Sequence, residues 1–277
     1  MEKITDWKKL WKELVEMHAL SHKDDRKKRE GDRWQDRARL FHDKVKDRWM
    51  RPDPHRDFII ERLRAGGGET VLDIGAGTGA WAILMARFVR KVTALEPSQE
   101  MREVMKENLE MEGVSNVEII EGSWPDSPVP PHDFSLCSHA MYGCPDLPVF
   151  VNAMVKATRK TCFLLFRAPA QDGVMAQAAM RIWGQPNDSP NFQVAYGVML
   201  QMGLHPNVLM EAPGNWGPWT SPSIREALSE MRRRFVLGQS TEYDAFLLDL
   251  LNTRLKFEEG RYVWPAELRT ALVYWDV

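Results

Sequence analysis

Short apolar runs alternate along this 277-residue chain with longer segments in which apolar residues recur every three or four positions. The short runs occupy residues 71–74, 92–95, 117–120, 132–137 and 161–166. Short runs bounded by turn residues indicate strands, and the longer spacing indicates amphipathic helices between them. This alternation predicts an α/β fold in which helices connect the strands of a parallel sheet.

The segment 71–80 joins a predicted strand to a helix through a glycine loop. Asp73 is a charge in an otherwise apolar run, and burying it costs free energy unless another group pairs with it. Gly75, Gly77 and Gly79 lack a Cβ atom, so they can adopt positive φ angles or lie against a ligand. Backbone N–H groups at the start of the following helix would face that ligand. The segment therefore predicts a site for a nucleotide-like molecule.

The same letters permit two other interpretations. Gly75-x-Gly77-x-x-Ala80 fits the dinucleotide-binding fingerprint, which allows alanine in the last position. A match of this length is weak by itself. A tight strand-to-helix turn that binds no ligand is the third interpretation.

Asp73-x-Gly75-x-Gly77-x-Gly79 resembles motif I of the class I S-adenosylmethionine-dependent methyltransferases. The succession of elements over residues 66–170 resembles the core of the same family. The resemblance implies a doubly wound, mainly parallel seven-stranded Rossmann-like sheet that binds S-adenosyl-L-methionine as its cofactor. It assigns the following residues to the cofactor site: Asp73, Gly75, Ala76, Gly77, Gly79, Glu96, Pro97, Ser123, Trp124 and Ser138.

The residues expected to hold the ribose and the adenine differ in how well they match the family. Glu96 ends the second strand, where a carboxylate can accept two hydrogen bonds from ribose hydroxyls. Nicotinamide enzymes place an acid at a similar distance. Ser123 stands where the family usually has an acidic residue for the adenine amino group. Ser123 can still accept a hydrogen bond, Trp124 offers a face to the purine, and Asp126 is the alternative acid.

The methyl acceptor should lie beyond the fourth strand, because ligands of open α/β sheets bind outside the carboxyl ends of the strands. His139 is the candidate general base there, since an imidazole titrates near neutral pH. Tyr142 is the candidate orienting group. Alternatively, His139 hydrogen-bonds the backbone or lines the cofactor pocket. Cys144-Pro145 reverses the Pro-Cys order of cytosine-C5 enzymes, which argues against a covalent cysteine.

Two further motifs are missing from the sequence. The Asn/Asp-Pro-Pro-aromatic motif of amino-group nucleic-acid methyltransferases does not occur, which argues against N-methylation of adenine or cytosine. The seven histidines have no ligand-like spacing to carboxylates or cysteines, so no metal site is predicted.

Three segments describe the predicted domain organisation. Residues 1–65 carry helical apolar stripes and are expected to form a helical cover. Residues 66–277 are expected to form the methyltransferase domain. Within them, residues 211–263 take the place of the short hairpin that the family usually has before its last strand, and are expected to form a helical lid. Trp216 and Trp219 either contact the substrate or anchor this insertion.

Composition narrows the class of partner. Residues 1–65 hold 19 basic and 14 acidic residues, against a net charge of −2 for the whole chain. Because the charges are mixed in sign, a solvated helix surface explains them better than a nucleic-acid surface. No apolar stretch approaches the length of a membrane helix, and the N-terminus has no apolar signal core. With three cysteines, these features predict a cytoplasmic protein without a membrane partner.

The function predicted from these features is transfer of a methyl group from S-adenosylmethionine to a small molecule. The alternatives are an RNA- or protein-directed methyltransferase, an NAD-dependent oxidoreductase, and a non-catalytic protein that binds S-adenosylmethionine. The sequence leaves a homodimer open.

Overall fold

The computed structural model describes residues 5–21, 34, 37–67, 69–212 and 216–277. Its strands are β1 (Thr70–Ile74), β2 (Lys91–Glu96), β3 (Val117–Glu121), β4 (His132–Ser138), β5 (Thr158–Pro169), β6 (Asn207–Met210), β7 (Thr220–Ser221), β8 (Lys256–Glu258), β9 (Arg261–Val263) and β10 (Leu268–Asp276). Its α-helices are α1 (Trp7–Ser21), α2 (Ala38–Trp49), α3 (Pro54–Ala65), α4 (Ala80–Ala86), α5 (Gln99–Met111), α6 (Leu147–Lys156), α7 (Val174–Trp183), α8 (Phe192–Gln201), α9 (Ile224–Arg234) and α10 (Asp244–Arg254).

A seven-stranded sheet with the order β3-β2-β1-β4-β5-β10-β6 forms the centre of the molecule. β1 pairs in parallel with β2 and β4, and the parallel pairing continues to β3 and β5. β10 is antiparallel to both of its neighbours, β5 and β6. The order reverses between β1 and β4, which is where open α/β sheets bind ligands. The predicted doubly wound, mainly parallel sheet is therefore confirmed.

Helices cover both faces of this sheet because side chains of each strand alternate between the faces. Leu72 and Cys137 face a cluster that includes residues of α1, α6 and α8. Val71 and Leu136 face a second cluster that includes residues of α3, α4 and α5. Strands buried on both faces explain why the sequence shows continuous apolar runs rather than alternation.

The N-terminal helices pack on different parts of the core. In α1, Trp11 is fully buried and its indole N–H donates to the carbonyl of Cys144 at 2.9 Å. The α2 helix lies against the glycine loop, where His42 Nδ1 is 3.2 Å from the hydroxyl of Thr78. The charged connection predicted over residues 21–31 lies almost entirely outside the described residues.

The segment between β6 and β10 contains both helices and strands. Helices α9 and α10 share an apolar cluster with α7, and β7, β9 and β8 form a separate three-stranded sheet. The sequence predicts a helix from Glu242 to Phe257, and this is wrong at its C-terminal end. The helix stops at Arg254, because residues 256–258 pair with β9 across a turn at Glu259 and Gly260, both with positive φ.

Other sequence predictions fall on positions that are not described. Gln35, Asp36 and Gly68 lie outside the described residues, and so do residues 213–215 of the predicted lid. Within the described ranges, no helix is both long and apolar enough to cross a membrane.

Candidate functional site

The glycine loop after β1 adopts a conformation that glycine favours at three alternate positions. The φ angles of Gly75, Gly77 and Gly79 are +68°, +57° and +85°. The N–H groups of Gly75 and Ala76 donate to the carbonyl of Leu95 at 2.8 and 3.1 Å, which ties the loop to the end of β2. A Cβ atom on Gly75 would lie 2.3 Å from the Cβ of Ala140. The loop is therefore both left-handed and closely packed, as a backbone cradle requires.

Glu96, at the end of β2, connects this loop to the next helix. Its carboxylate accepts hydrogen bonds from the N–H of Gly77 at 2.8 Å and from the N–H of Ser98 at 2.9 Å. It is 5% exposed. Two carboxylate oxygens offer about four acceptor positions, and a ligand hydroxyl can donate to such a group. Pro97 follows in an exposed position, and its carbonyl accepts a hydrogen bond from the Arg102 guanidinium at 2.7 Å.

Asp73 is buried beneath the loop with one carboxylate oxygen unsatisfied. Its Oδ2 atom has no hydrogen-bond partner among the described residues. Burial, reinforced by the nearby charge of Glu96, raises the pKa of Asp73 to about 7, while the N–H of Ala82 opposes this shift. A cationic group beside Asp73 would stabilise its ionised form. This unsatisfied oxygen and the glycine cradle fit a ligand that carries an amino or sulfonium cation.

Because the pKa of Asp73 is raised, the free energy of unfolding should decrease as the pH rises. Its folded-state pKa of about 7 exceeds its ordinary value of 3.8, so the folded state keeps a proton that the unfolded chain loses. The free energy of unfolding should therefore fall as pH rises from about 4 to about 7, by at most about 4 kcal/mol. Urea unfolding of the ligand-free protein at pH 5 and pH 8 measures this fall.

Asp73→Asn should remove most of this pH dependence, because an amide does not ionise. Asp249→Asn, on the exposed face of α10, is the matched control and should retain it. Equal pH slopes for wild type and Asp73→Asn would contradict the assignment.

The loop after β3 provides the residues expected at the adenine. Ser123 and Asp126 are exposed. The indole N–H of Trp124 donates to the carbonyl of Phe150 at 3.2 Å, and the two rings meet edge to face. Because α6 satisfies the N–H of Trp124, this residue would contact a purine through its ring rather than through a hydrogen bond.

The predicted cofactor residues all lie at one edge of the sheet, since β1 to β4 are parallel and their carboxyl ends meet there. Ser138, the last residue of β4, is half-buried at this edge. Two residues that the sequence did not single out support the loop: His42 and Asn108 bond each other and Thr78 at distances between 2.9 and 3.2 Å. They come from α2 and α5, so no local pattern could have linked them.

His139 follows β4 with a φ angle of 58°, which is uncommon for a residue with a side chain. Its Nδ1 atom is 3.1 Å from the hydroxyl of Tyr142, and that hydroxyl accepts a hydrogen bond from the N–H of Arg167. The edge of the His139 ring meets Trp216 at 5.7 Å between ring centres. The structure thus brings together the two predicted catalytic residues and one tryptophan of the insertion.

Burial and neighbouring cations determine the protonation states of His139 and Tyr142. Burial, followed by the charges of Arg48, Arg167 and His55, holds the pKa of His139 well below its ordinary value. The imidazole is therefore neutral at pH 7. Burial raises the pKa of the Tyr142 phenol, so this hydroxyl keeps its proton.

The remaining sequence predictions concern Cys144, Trp219 and a possible metal site. Burial raises the pKa of the Cys144 thiol, which disfavours the thiolate that a nucleophile needs. Trp219, 41% exposed, packs on Trp264, which directly follows the insertion. The part of the chain that is described contains no group of three or more His, Cys, Asp or Glu residues arranged to hold a metal.

Comparison with known proteins identifies the class. Residues 71–161 match the family model of the methyltransferase domain. The chain is 33% identical over 73 residues to protein-L-isoaspartate O-methyltransferase 2 of Pelobacter propionicus, covering 25% of this chain and 32% of the relative. It is 27% identical over 109 residues to demethylmenaquinone methyltransferase of Geobacillus kaustophilus, covering 38% and 46%. The chain thus spans 32% and 46% of these relatives' lengths, less than half in each case.

A solved structure shares the fold over most of the chain. The YcgJ protein from Bacillus subtilis aligns with a TM-score of 0.50 and 18% sequence identity, covering 81% of this chain and 98% of that protein. Together with the family match, which covers about a third of the chain, this shared fold confirms the predicted resemblance to the class I S-adenosylmethionine-dependent methyltransferases. Residues 71–161 carry the match to the methyltransferase domain.

Proposed function

We propose that this protein transfers a methyl group from S-adenosylmethionine to a small molecule bound beside His139. The observation that carries the proposal is the left-handed glycine loop between Asp73 and Glu96, at the reversal of strand order. S-adenosylmethionine, when bound, supplies an activated methyl group, so the protein mainly has to align an acceptor with it. A shortage of acid–base residues is therefore compatible with activity.

The position of each residue indicates which part of the cofactor it would hold. Asp73 and the glycine loop, with Ala76, would hold the methionine part of the cofactor. Glu96 would hold the ribose, while Ser123 and Trp124 would hold the adenine. Pro97 and Ser138 would line the edges of this pocket.

The shared domain leaves the acceptor open, and one feature outside the motif residues supports a small molecule. The relatives' names specify a protein and a quinone, so the shared domain does not by itself fix the acceptor. The family match ends at residue 161, whereas Arg167, Trp216 and Thr270 on the acceptor side lie beyond it. Aromatic rings of Tyr142 and Trp216 flank His139, which suits a flat acceptor.

The helical segments would enclose this site. The ring of Phe41 on α2 is 3.9 Å from the position of a Cβ on Gly77, so residues 1–65 would act as a cover at the methionine end. Residues 211–263 would act as a lid, with Trp216 reaching His139. Three free cysteines, two of them buried, suit a cytoplasmic location.

Calorimetry tests the cofactor assignment. We expect S-adenosylhomocysteine to bind and NAD not to bind under the same conditions. Binding of NAD alone would overturn the proposal in favour of an oxidoreductase. Incubation with methyl-tritiated S-adenosylmethionine and a cell extract then tests the acceptor. Label should enter the low-mass fraction, and label confined to protein or RNA would overturn the small-molecule acceptor.

His139 would act as the general base in the tautomer that carries its hydrogen on Nδ1. That tautomer donates to Tyr142 and leaves Nε2 to accept a proton from the acceptor. Because the pKa of His139 is lowered, the acid limb of the pH–rate profile should lie at lower pH than the ordinary titration range of an imidazole. Replacement by Asn should reduce kcat/KM on the order of 10²-fold without changing the affinity for S-adenosylhomocysteine.

Tyr142→Phe is the companion variant for the orienting role. It keeps the ring stack but removes the oxygen that lies 3.1 Å from His139 Nδ1. We expect kcat to fall while the melting temperature stays within a few degrees of wild type. For the His139→Asn variant described above, a wild-type rate would eliminate the hypothesis that His139 is the general base.

A further inference from the structure

Two guanidinium groups reach the acceptor side of the site from segments far apart in sequence. Arg48 lies near the C-terminus of α2, and Arg167 lies near the carboxyl end of β5. Arg48 stacks on Trp216 and Arg167 on Tyr142, the two rings that pair with His139, and the charge of each lowers the pKa of His139. Neither residue matches the motif that assigns the cofactor residues.

Arg48 contacts three residues from the C-terminal part of the chain. It donates to the hydroxyl of Thr270 at 2.8 Å, and its guanidinium lies 4.1 Å from the ring centre of Trp216. The nearest Glu211 oxygen is 4.0 Å away, and the other oxygen of that carboxylate accepts the N–H of Thr270 at 2.7 Å. Glu211 therefore balances one positive charge but does not form a close ion pair with it.

Arg167 lies beside the same threonine. Arg167 and Thr270 are direct partners in the antiparallel pairing of β5 with β10, so their side chains project from the same face of the sheet. The Arg167 guanidinium lies 4.1 Å from the ring centre of Tyr142. Its Nε atom is buried and has no hydrogen-bond partner within the described part of the chain.

An unpaired buried donor on a cation is costly, and an oxyanion would satisfy it. A guanidinium stacked on an aromatic ring still presents its N–H groups in its own plane, where a carboxylate or phosphate can accept two of them. The rings of Tyr142 and Trp216 would pack on the flat body of the same molecule.

We propose that Arg48 and Arg167 form an anion subsite, and that the methyl acceptor is a flat molecule bearing a carboxylate or phosphate group. This inference rests on the proposed methyltransferase function, because it concerns the acceptor side of the same site. Arg167 supplies the unsatisfied donor, and Arg48 supplies the second charge across Thr270. His139 directly precedes Ala140, which contacts the glycine loop at Gly75, and Tyr142 contacts Arg167.

Calorimetry with simple probes tests the subsite. Benzoate and phenyl phosphate carry the two candidate anions on one ring, and benzamide is the neutral control. With the wild-type protein saturated with S-adenosylhomocysteine, the better anion should bind about tenfold or more tightly than benzamide. The ratio of benzoate to phenyl phosphate affinity identifies which anion the subsite prefers.

Matched arginine variants assign the effect to the subsite. Arg167→Gln and Arg48→Gln should each bring the anion's affinity to within about twofold of benzamide, since the charge-assisted bonds are lost. Arg269→Gln removes the same charge from an exposed residue adjacent to Thr270 on β10, whose side chain projects from the opposite face. That control should keep the wild-type preference. Arg167→Lys, which keeps the charge without the planar fork, should retain only part of it.

The outcomes separate this inference from the proposed function. Equal affinity for anions and benzamide in the wild type would overturn the subsite, as would an unchanged preference in Arg167→Gln. The titrations are repeated without S-adenosylhomocysteine, so failure of that ligand to bind would reject the cofactor assignment while the anion preference is still measured. Melting curves of each variant confirm that losses of binding do not come from unfolding.

Discussion

Replacing Glu96 with alanine is expected to weaken binding of S-adenosylhomocysteine by about 100-fold or more. Hydrogen bonds to a charged group contribute roughly 1.5–3 kcal/mol each, and loss of two such bonds to ribose hydroxyls reaches this size. The same carboxylate also accepts the N–H groups of Gly77 and Ser98. Alanine would therefore remove a ligand contact and two restraints on the loop conformation.

Two variants separate these contributions. Glu96→Gln keeps the size of the side chain, but its amide nitrogen cannot accept a hydrogen bond, so we expect an intermediate loss. Glu118→Ala is the control, because it removes an exposed carboxylate of β3 whose ion pair with Lys91 contributes little. Calorimetry of all three proteins gives the dissociation constants. Wild-type affinity in Glu96→Ala would disprove the ribose assignment.

The sequence points to the proposed cofactor half of the site because that half is local. The strand, the glycine loop and the helix start are contiguous, and the positive φ angles fall on residues that accept them. Glu96 follows from the end of the next strand. Because the pattern lies in one short segment, its residue types by themselves explain the backbone conformation of that segment.

In the proposed acceptor half, the sequence pointed to His139 and Tyr142, which share one loop. It could not point to the proposed anion subsite, because the members of that subsite come from separate segments. Arg48 and Thr270 are hydrogen-bonded at 2.8 Å although 222 residues separate them. No spacing rule connects residues that meet only through sheet pairing and helix packing. In the sequence, Arg48 is one of many charged residues in its predicted helix. Arg167 follows the end of an apolar run.

Strand β5 shows how tertiary pairing extends an element beyond its apolar run. The apolar pattern predicts a strand at residues 161–166, yet β5 spans Thr158–Pro169. Its polar ends are included because β4 and β10 supply ladder partners along its length, as in the pairing of Arg167 with Thr270. That extension brings Arg167 to the carboxyl edge, where the acceptor is proposed to bind.

Gly77→Val is expected to abolish detectable binding of S-adenosylhomocysteine while the fold is retained. Gly77 has a φ of +57°, and a side chain in this region costs roughly 1–2 kcal/mol, more for a β-branched residue. A Cβ there would be 3.9 Å from the ring of Phe41, an ordinary van der Waals distance, so the added Cβ itself does not clash with this ring. The strain would instead turn the backbone and withdraw the N–H of Gly77 from Glu96, and the cradle would open.

A second glycine with the same conformation is the control for general strain. Gly113 has a φ of +63° after α5, and a Cβ there would meet no atom within 4 Å. Gly113→Val should therefore lower the melting temperature about as much as Gly77→Val but leave the affinity for S-adenosylhomocysteine unchanged. If both variants bind equally well, the loop does not hold the cofactor through its backbone conformation. If only Gly77→Val loses binding, its left-handed backbone is a functional requirement of the site, because the strain alone is shared.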